Sequence, residues 1–230
     1  MAQSGIHAIL GYNLKYIISN EKKLLPAIVF GSILPDIDIV IVAFSSIFYP
    51  IFYSMQLFQR TITHSFFTIV FIYLFFALIS EFYNNKSLKT IGKGLLIGML
   101  LHIILDTFLW FNEIQFLWPL PIPAFNIWKI WDIPKWMKNT ILISEILCFY
   151  FYAWFLITKH LKYPNKQSWI ITYLQLWKSF CGFSFIILLL LFYLNIPNLL
   201  IFYVIIYVPS IIAALWGTYM SNQVLELNKK

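Results

Sequence analysis

With 230 residues, 61% of them hydrophobic and only 11% charged, the chain has too little polar surface to coat a water-soluble globule. A mean hydropathy of +0.80 points to a multi-pass membrane protein. The formal charge of +7 comes from lysines scattered over predicted loops, with no Arg and aromatic reading surface, so no nucleic-acid partner is expected.

In chain order, residues 6–20 predict a short helix, 25–41 a second one interrupted by Pro35, and 42–58 an aromatic-rich hairpin or interfacial segment around Pro50. Clearer spans follow at 65–82, 94–111, 140–158, 179–194 and 198–220, each close to the roughly 17–25 residues that a bilayer requires. The expected fold class is all-α: a multi-pass transmembrane helix bundle of about seven spans, forming a single integral membrane domain over residues 1–230. Residues 1–125 carry the polar motifs and 126–230 supply supporting transmembrane helices. The opening stretch lacks an early basic patch, an unbroken apolar centre and a small-residue cleavage site, so it is expected to belong to the mature fold. Cys148 and Cys181 lie inside apolar spans without a pairing pattern and read as inert core thiols.

Short cytoplasmic loops collect Lys and Arg. Alternating the spans puts Lys22, Lys23, Lys86, Lys89, Lys93, Lys159, Lys162, Lys166, Lys229 and Lys230 on one side, against Arg60, Lys129, Lys135 and Lys138 on the other. The first side is expected to be cytoplasmic, with the C-terminus inside, the N-terminus outside and the 112–139 loop at the outer interface.

Against this background the polar residues inside the spans stand out. An aspartate at bilayer depth costs about 2.5–3.5 kcal/mol on insertion scales, so it is retained where it faces the bundle interior with partners. His102 and Asp106, in "GMLLHIILDTF", are four residues apart and share one helix face. Asp36 and Asp38 follow Pro35 in "GSILPDID", where a broken helix can turn carboxylates inward. His64 opens the 65–82 span in "RTITHS", and His7 lies near the outer end of the first helix. His7, Asp36, Asp38, His64, His102 and Asp106 thus fall in one membrane half.

Three imidazoles and three carboxylates form a donor set for zinc, manganese or iron rather than calcium or magnesium. Three unpaired aspartates would cost roughly 8–10 kcal/mol together. A structural zinc site returns an apparent 10–16 kcal/mol or so, which is enough to offset them. The expectation is therefore an intramembrane metal site near the outer side, holding one or two divalent ions, with zinc favoured over manganese or iron. Plainer roles stand beside this one: interhelical hydrogen bonding for a lone histidine such as His7, an internal hydrogen bond for the His102 and Asp106 pair, a helix break with an aspartate cap for "PDID", and snorkelling to the interface for Arg60. Ser65 or Thr63 reads as the cap of the 65–82 helix. Glu145 is expected to pair with another polar residue or join the site, and His160, among lysines, to lie in a solvated loop.

The motifs "GIH", "LPDID", "RTITHS" and "GMLLHIILDTF" with the "LWP" that follows, taken in order, resemble those of the LexA-regulated, membrane-bound metal-dependent hydrolases of bacteria and archaea. That family is in turn distantly similar to zinc-dependent phospholipase C. The resemblance implies a site of His64, His102, Asp106 and an aspartate of "PDID", with Asp106 bridging and His7 serving an adjacent metal. It also implies a prokaryotic cytoplasmic (inner) membrane location. This chain has no second His-x-x-x-Glu helix, and Gln59 stands where the family often has a histidine, so fewer than three ions are expected.

The implied activity is hydrolysis of a lipid or phosphoester by metal-activated water. Asp36 or Asp38 would accept the proton, and Arg60 would hold a phosphate. Two other classes remain: a proton- or ion-coupled transporter using the His and Asp chain as a relay, and a non-enzymatic membrane protein with a structural metal. The sequence leaves the oligomeric state open.

Overall fold

A computed structural model of the chain describes residues 4–18, 21–109, 111, 113–131, 133–162, 168–197 and 199–226, and these are helices and connecting turns with one isolated β-bridge. Helix α1 (Ser4–Asn13) leads through a 3-10 turn to α2 (Leu24–Gly31), a second 3-10 turn (Leu34–Ile37), α3 (Asp38–Ser45) and α4 (Ile51–Phe58). The long elements are α5 (Phe66–Phe82), α6 (Lys86–Leu109), α7 (Lys135–Leu161), α8 (Ser168–Tyr193) and α9 (Leu199–Met220), closed by the short α10 (Asn222–Glu226).

Among the described residues four helices are long and apolar enough to cross a bilayer: α6, α7, α8 and α9. Counting the bent pair Leu24–Gly31 and Leu34–Ser45 as one span makes five. The expected seven is therefore not reached. Helix α1 has 10 residues, a rise of only about 15 Å, and α5 is a shorter apolar helix of 17.

The bend of 46° in the pair has a local cause. Pro35 sits in the first turn of the Leu34–Ile37 segment, where it removes a backbone donor and its ring crowds the carbonyl four residues back. The chain tightens into a 3-10 turn and restarts at Asp38, leaving Asp36 and Asp38 on the break and both buried.

Close approach at two glycines sets the helices that carry polar residues. A Cβ on Gly98 would come within 2.2 Å of the Ile28 carbonyl oxygen, so α6 meets α2 backbone to backbone. A Cβ on Gly5 would meet the Cys148 carbonyl oxygen at 2.2 Å, which fixes α1 against α7. Around these contacts Tyr12, Leu25, Ile33, Phe149, Tyr152, Tyr203 and Tyr207 form the main core. Outward faces remain apolar, with Phe183 and Ile186 on α8 and Phe71 and Leu78 on α5 exposed, as expected of helices that meet lipid. Cys148 and Cys181 are buried free thiols, as expected.

The described lysines of the first group gather at one end. Lys93 lies 3.8 Å from Glu21, the Lys23 amide donates to Glu226 at 2.5 Å, and Lys159 donates to Tyr12 at 3.0 Å. Lys166, Lys229 and Lys230 lie outside the described residues.

At the opposite end the loop after α6 folds back. Ile114 and Phe125 form an antiparallel bridge, the Gln115 amide donates to the Arg60 carbonyl at 3.1 Å, and the Phe66 amide donates to the Phe116 carbonyl at 2.8 Å. What reads in sequence as an interfacial loop is stitched to the turn before α5.

Candidate metal centre

Asp36, His64, His102 and Asp106 are all buried, and one ligand atom from each lies within 4.8 Å of the others. They come from the Pro35 break, the turn before α5 and the face of α6. His102 Nε2 is 3.6 Å from Asp36 Oδ1 and 3.6 Å from Asp106 Oδ1, while His64 Nε2 is 3.5 Å from Asp106 Oδ2 and 3.9 Å from Asp36 Oδ1. These separations exceed the usual N–H···O range of about 2.7–3.2 Å. Ligands bound at about 2.0–2.2 Å around one tetrahedral ion stand about 3.3–3.6 Å apart, close to the distances observed.

The far side of each ligand is tied to the protein, which sets the direction of its free atom. His102 Nδ1 donates to the Ser32 carbonyl at 2.8 Å. His64 Nδ1 contacts Thr63 Oγ1 at 3.1 Å and lies 3.6 Å from Asp38 Oδ2. Both rings thus turn Nε2 toward the centre, and neither Nε2 has a hydrogen-bond partner among the described residues. Asp36 Oδ2 accepts from Ser4 Oγ, which also meets the Tyr207 hydroxyl at 2.7 Å, leaving Oδ1 to face the histidines. Buried ring nitrogens without hydrogen-bond partners, opposite carboxylates and with protein groups behind them, fit a borderline divalent cation.

The remaining predicted site residues surround this group. Asp38 stands behind His64 rather than beside its Nε2, and its Oδ2 accepts from the Arg60 amide at 2.7 Å. Arg60 is 3% exposed, so it does not snorkel; its Nη2 lies 3.0 Å from Asp106 Oδ2. The Arg60 backbone has φ of 55°, a left-handed conformation costing a non-glycine residue about 1–2 kcal/mol, held by the Asp38 and Gln115 hydrogen bonds. His7 is buried on α1 with Nδ1 3.0 Å from His102 Nδ1 and Nε2 3.8 Å from Asp106 Oδ1. Ser65 caps α5, accepting from the Phe67 amide at 3.2 Å.

Glu145 is fully buried on α7 but outside the four-residue group. His160 overturns the expectation of a solvated loop: it is 1% exposed, on the last turn of α7, with Nε2 2.9 Å from Ser221 Oγ. Its lysine neighbours flank a helix whose inner face the histidine occupies.

Sequence reading missed Ser4, the Ser32 carbonyl and Tyr207. Ser4 had a signal, since it lies three residues before His7 and shares its helix face. Tyr207 carries no such mark in α9.

Beside Arg60 a cavity of about 360 Å³ opens at this end of the bundle, lined by Phe52, Gln56, Gln59, Glu113 and Gln115 among others.

Apolar helices of spanning length around a buried His and Asp cluster define a polytopic membrane protein with a candidate metal centre. The chain belongs to the YdjM inner membrane protein family, whose model matches residues 2–196. That match extends the resemblance read from the first half well into the second, and the family places the protein in the inner membrane. No curated protein and no solved structure matches the chain, and the likeness to phospholipase C finds no support in these comparisons.

Proposed function

We propose that the protein is a membrane-embedded hydrolase whose centre holds one divalent cation, zinc ahead of manganese or iron, between Asp36, His64, His102 and Asp106. The observation that carries this reading is the convergence of four buried ligand atoms within 4.8 Å, with the opposite atoms of both histidines and of Asp36 engaged by protein groups. Charge supports a single ion. Asp36, Asp38 and Asp106 together with Arg60 leave a formal −2, which one divalent cation cancels in a region where net charge is costly.

Such an ion acts as a Lewis acid and makes water nucleophilic near neutral pH. The chain's own residues do the rest. Asp38 Oδ2 lies 3.6 Å from His64 Nδ1, too far for a hydrogen bond, and places a negative charge behind that ring while Thr63 Oγ1 contacts the same nitrogen at 3.1 Å. Arg60 pairs with Asp106 and also lines the neighbouring cavity, so an anionic group of a substrate entering that cavity would come up against this residue. The cavity adjoins the centre through Arg60, none of the four ligands lining it, and supplies a place for substrate that a purely structural ion would not need. Its exposed apolar rim at Phe52 suits an amphipathic ester or phosphoester arriving from the bilayer. The lysine-rich end then faces the cytoplasm, with the C-terminus inside and the centre toward the outer leaflet.

The test is elemental mass spectrometry on detergent-purified protein grown with metal supplementation and no chelator. We expect about one equivalent in the wild type, lost in His64→Ala and Asp106→Ala, with hydrolysis of lipid phosphoesters abolished by chelation and restored by zinc. Wild-type protein that folds without any metal would sink this reading.

A further inference from the structure

A second cavity, of about 680 Å³, opens where α4, the start of α7 and the turn between α8 and α9 meet. Its size falls within the roughly 300–1,000 Å³ of small-molecule sites. The walls divide by chemistry. Phe192, Leu199 and Leu200 are apolar, while Lys135, Lys138 and Asn139 bring polar ends, and no aspartate or glutamate is among the described residues that line it.

The two lysines stand where local preference would not put them. Both belong to the first turn of α7, which holds no acid, although the positive end of a helix dipole favours anions there and disfavours cations. Three residues apart, they share one helix face. Elsewhere Lys89, Lys93 and Lys129 each lie within 4.0 Å of a glutamate, whereas neither Lys135 nor Lys138 has an ion pair among the described residues. Across the cavity the chain leaves α8 through Asn195, whose φ of 51° is a left-handed conformation that asparagine tolerates better than most residues. The Asn195 amide donates to the Phe192 carbonyl and the Ile196 amide to the Leu191 carbonyl, both at 3.0 Å, so this wall is a fixed turn.

Two exposed cations without counter-charges beside apolar walls, on a protein that lipid surrounds, complement one class of ligand. A water-soluble anion has no use for Leu199 and Leu200, and a neutral lipid has none for the lysines. Trp136, on the same wall, is 62% exposed, as aromatic rings at the headgroup level are. We propose that this cavity binds an anionic phospholipid, phosphatidylglycerol being the simplest, with its phosphate at Lys135 and Lys138 and its acyl chains along Leu199 and Leu200. The site is independent of the metal reading. Phe52 also lines the cavity beside Arg60, so the bound lipid and that cavity share a wall.

The experiment is native mass spectrometry on the detergent-purified full chain, titrated with dioleoylphosphatidylglycerol or with dioleoylphosphatidylcholine. Each lysine near an anionic headgroup contributes roughly fivefold, so the wild type should bind phosphatidylglycerol about tenfold or more tightly than phosphatidylcholine. Lys135→Gln combined with Lys138→Gln should remove most of that preference, and Lys135→Arg combined with Lys138→Arg should keep it. Lys89→Gln combined with Lys93→Gln, the same loss of charge at the other end of the bundle, should leave it unchanged. All four lysines are exposed, so each variant is expected to fold. Equal affinity of the wild type for the two lipids, a preference that survives the glutamine pair at 135 and 138, an equal loss in the pair at 89 and 93, or displacement of phosphatidylglycerol by millimolar inorganic phosphate would each overturn the proposal.

Discussion

His102 and His160 are both buried histidines on long apolar helices, one on α6 in the polar cluster and one on α7 at the lysine-rich end. His160 meets one hydroxyl, that of Ser221, near a second neutral pair between Tyr152 and Thr218 at 2.7 Å. His102 meets a carbonyl, a second imidazole and, through Nε2, two carboxylates at 3.6 Å. Burial and spacing are alike in the two regions. What separates them is negative charge: carboxylates concentrated around one histidine create a demand for a cation, whereas the other ring meets a neutral hydroxyl at Nε2 and pairs with no carboxylate among the described residues.

The comparison breaks most directly at Asp106, the residue that touches His64, His102, His7 and Arg60. Asp106→Ala should raise the Kd for zinc at least a hundredfold, about 2.7 kcal/mol, in a competition titration with a chromophoric chelator. It should also lower the thermal midpoint in detergent, because Arg60 keeps its buried charge. Gly98→Val comes next. Its side chain would drive α6 away from the Ile28 carbonyl at a cost of about 1–3 kcal/mol, and it would move His102 off Ser32, so stability and metal affinity should fall together. Asp38→Asn leaves the four ligands in place and removes the negative charge 3.6 Å behind His64; a roughly 10-fold or greater loss of zinc affinity with an unchanged unfolding midpoint is the expected result. Smallest is His160→Phe, which should cost about 1 kcal/mol or less of stability and leave the zinc titration untouched. A His160 variant that lost metal would erase the distinction between the two regions.

The aspartates and histidines of the cluster were legible because each interrupts a run that lipid would otherwise make uniformly apolar. Their chemistry was readable from residue type, and their shared end from helix length and lysines. The division of labour was not. Asp36 and Asp38 are two residues apart with the same side chain, and only the Pro35 turn decides that one faces the histidines while the other lies behind His64. His160 was misread because local charge says nothing about which face of α7 packs against α9 and α10. The number of spans was overcounted for a different reason: 6–20 and 65–82 read as crossings, but the helices that form there, α1 and α5, have 10 and 17 residues and fall short of spanning length. Backbone groups such as the Ser32 carbonyl are invisible to any reading of side chains.

The Gly5 contact and the Ser4 hydrogen bonds have a consequence in time. All four candidate ligands lie between residues 36 and 106, while α7, which packs on α1 at the Cys148 carbonyl, and α9, whose Tyr207 hydroxyl meets Ser4, come later in the chain. Chains are made and inserted from the N-terminus. The costliest residues of this protein therefore reach the bilayer before the wall that encloses them has been synthesised. Through that interval the polar partners the chain has already supplied to the aspartates are Arg60 and the histidines, and the later helices complete the enclosure.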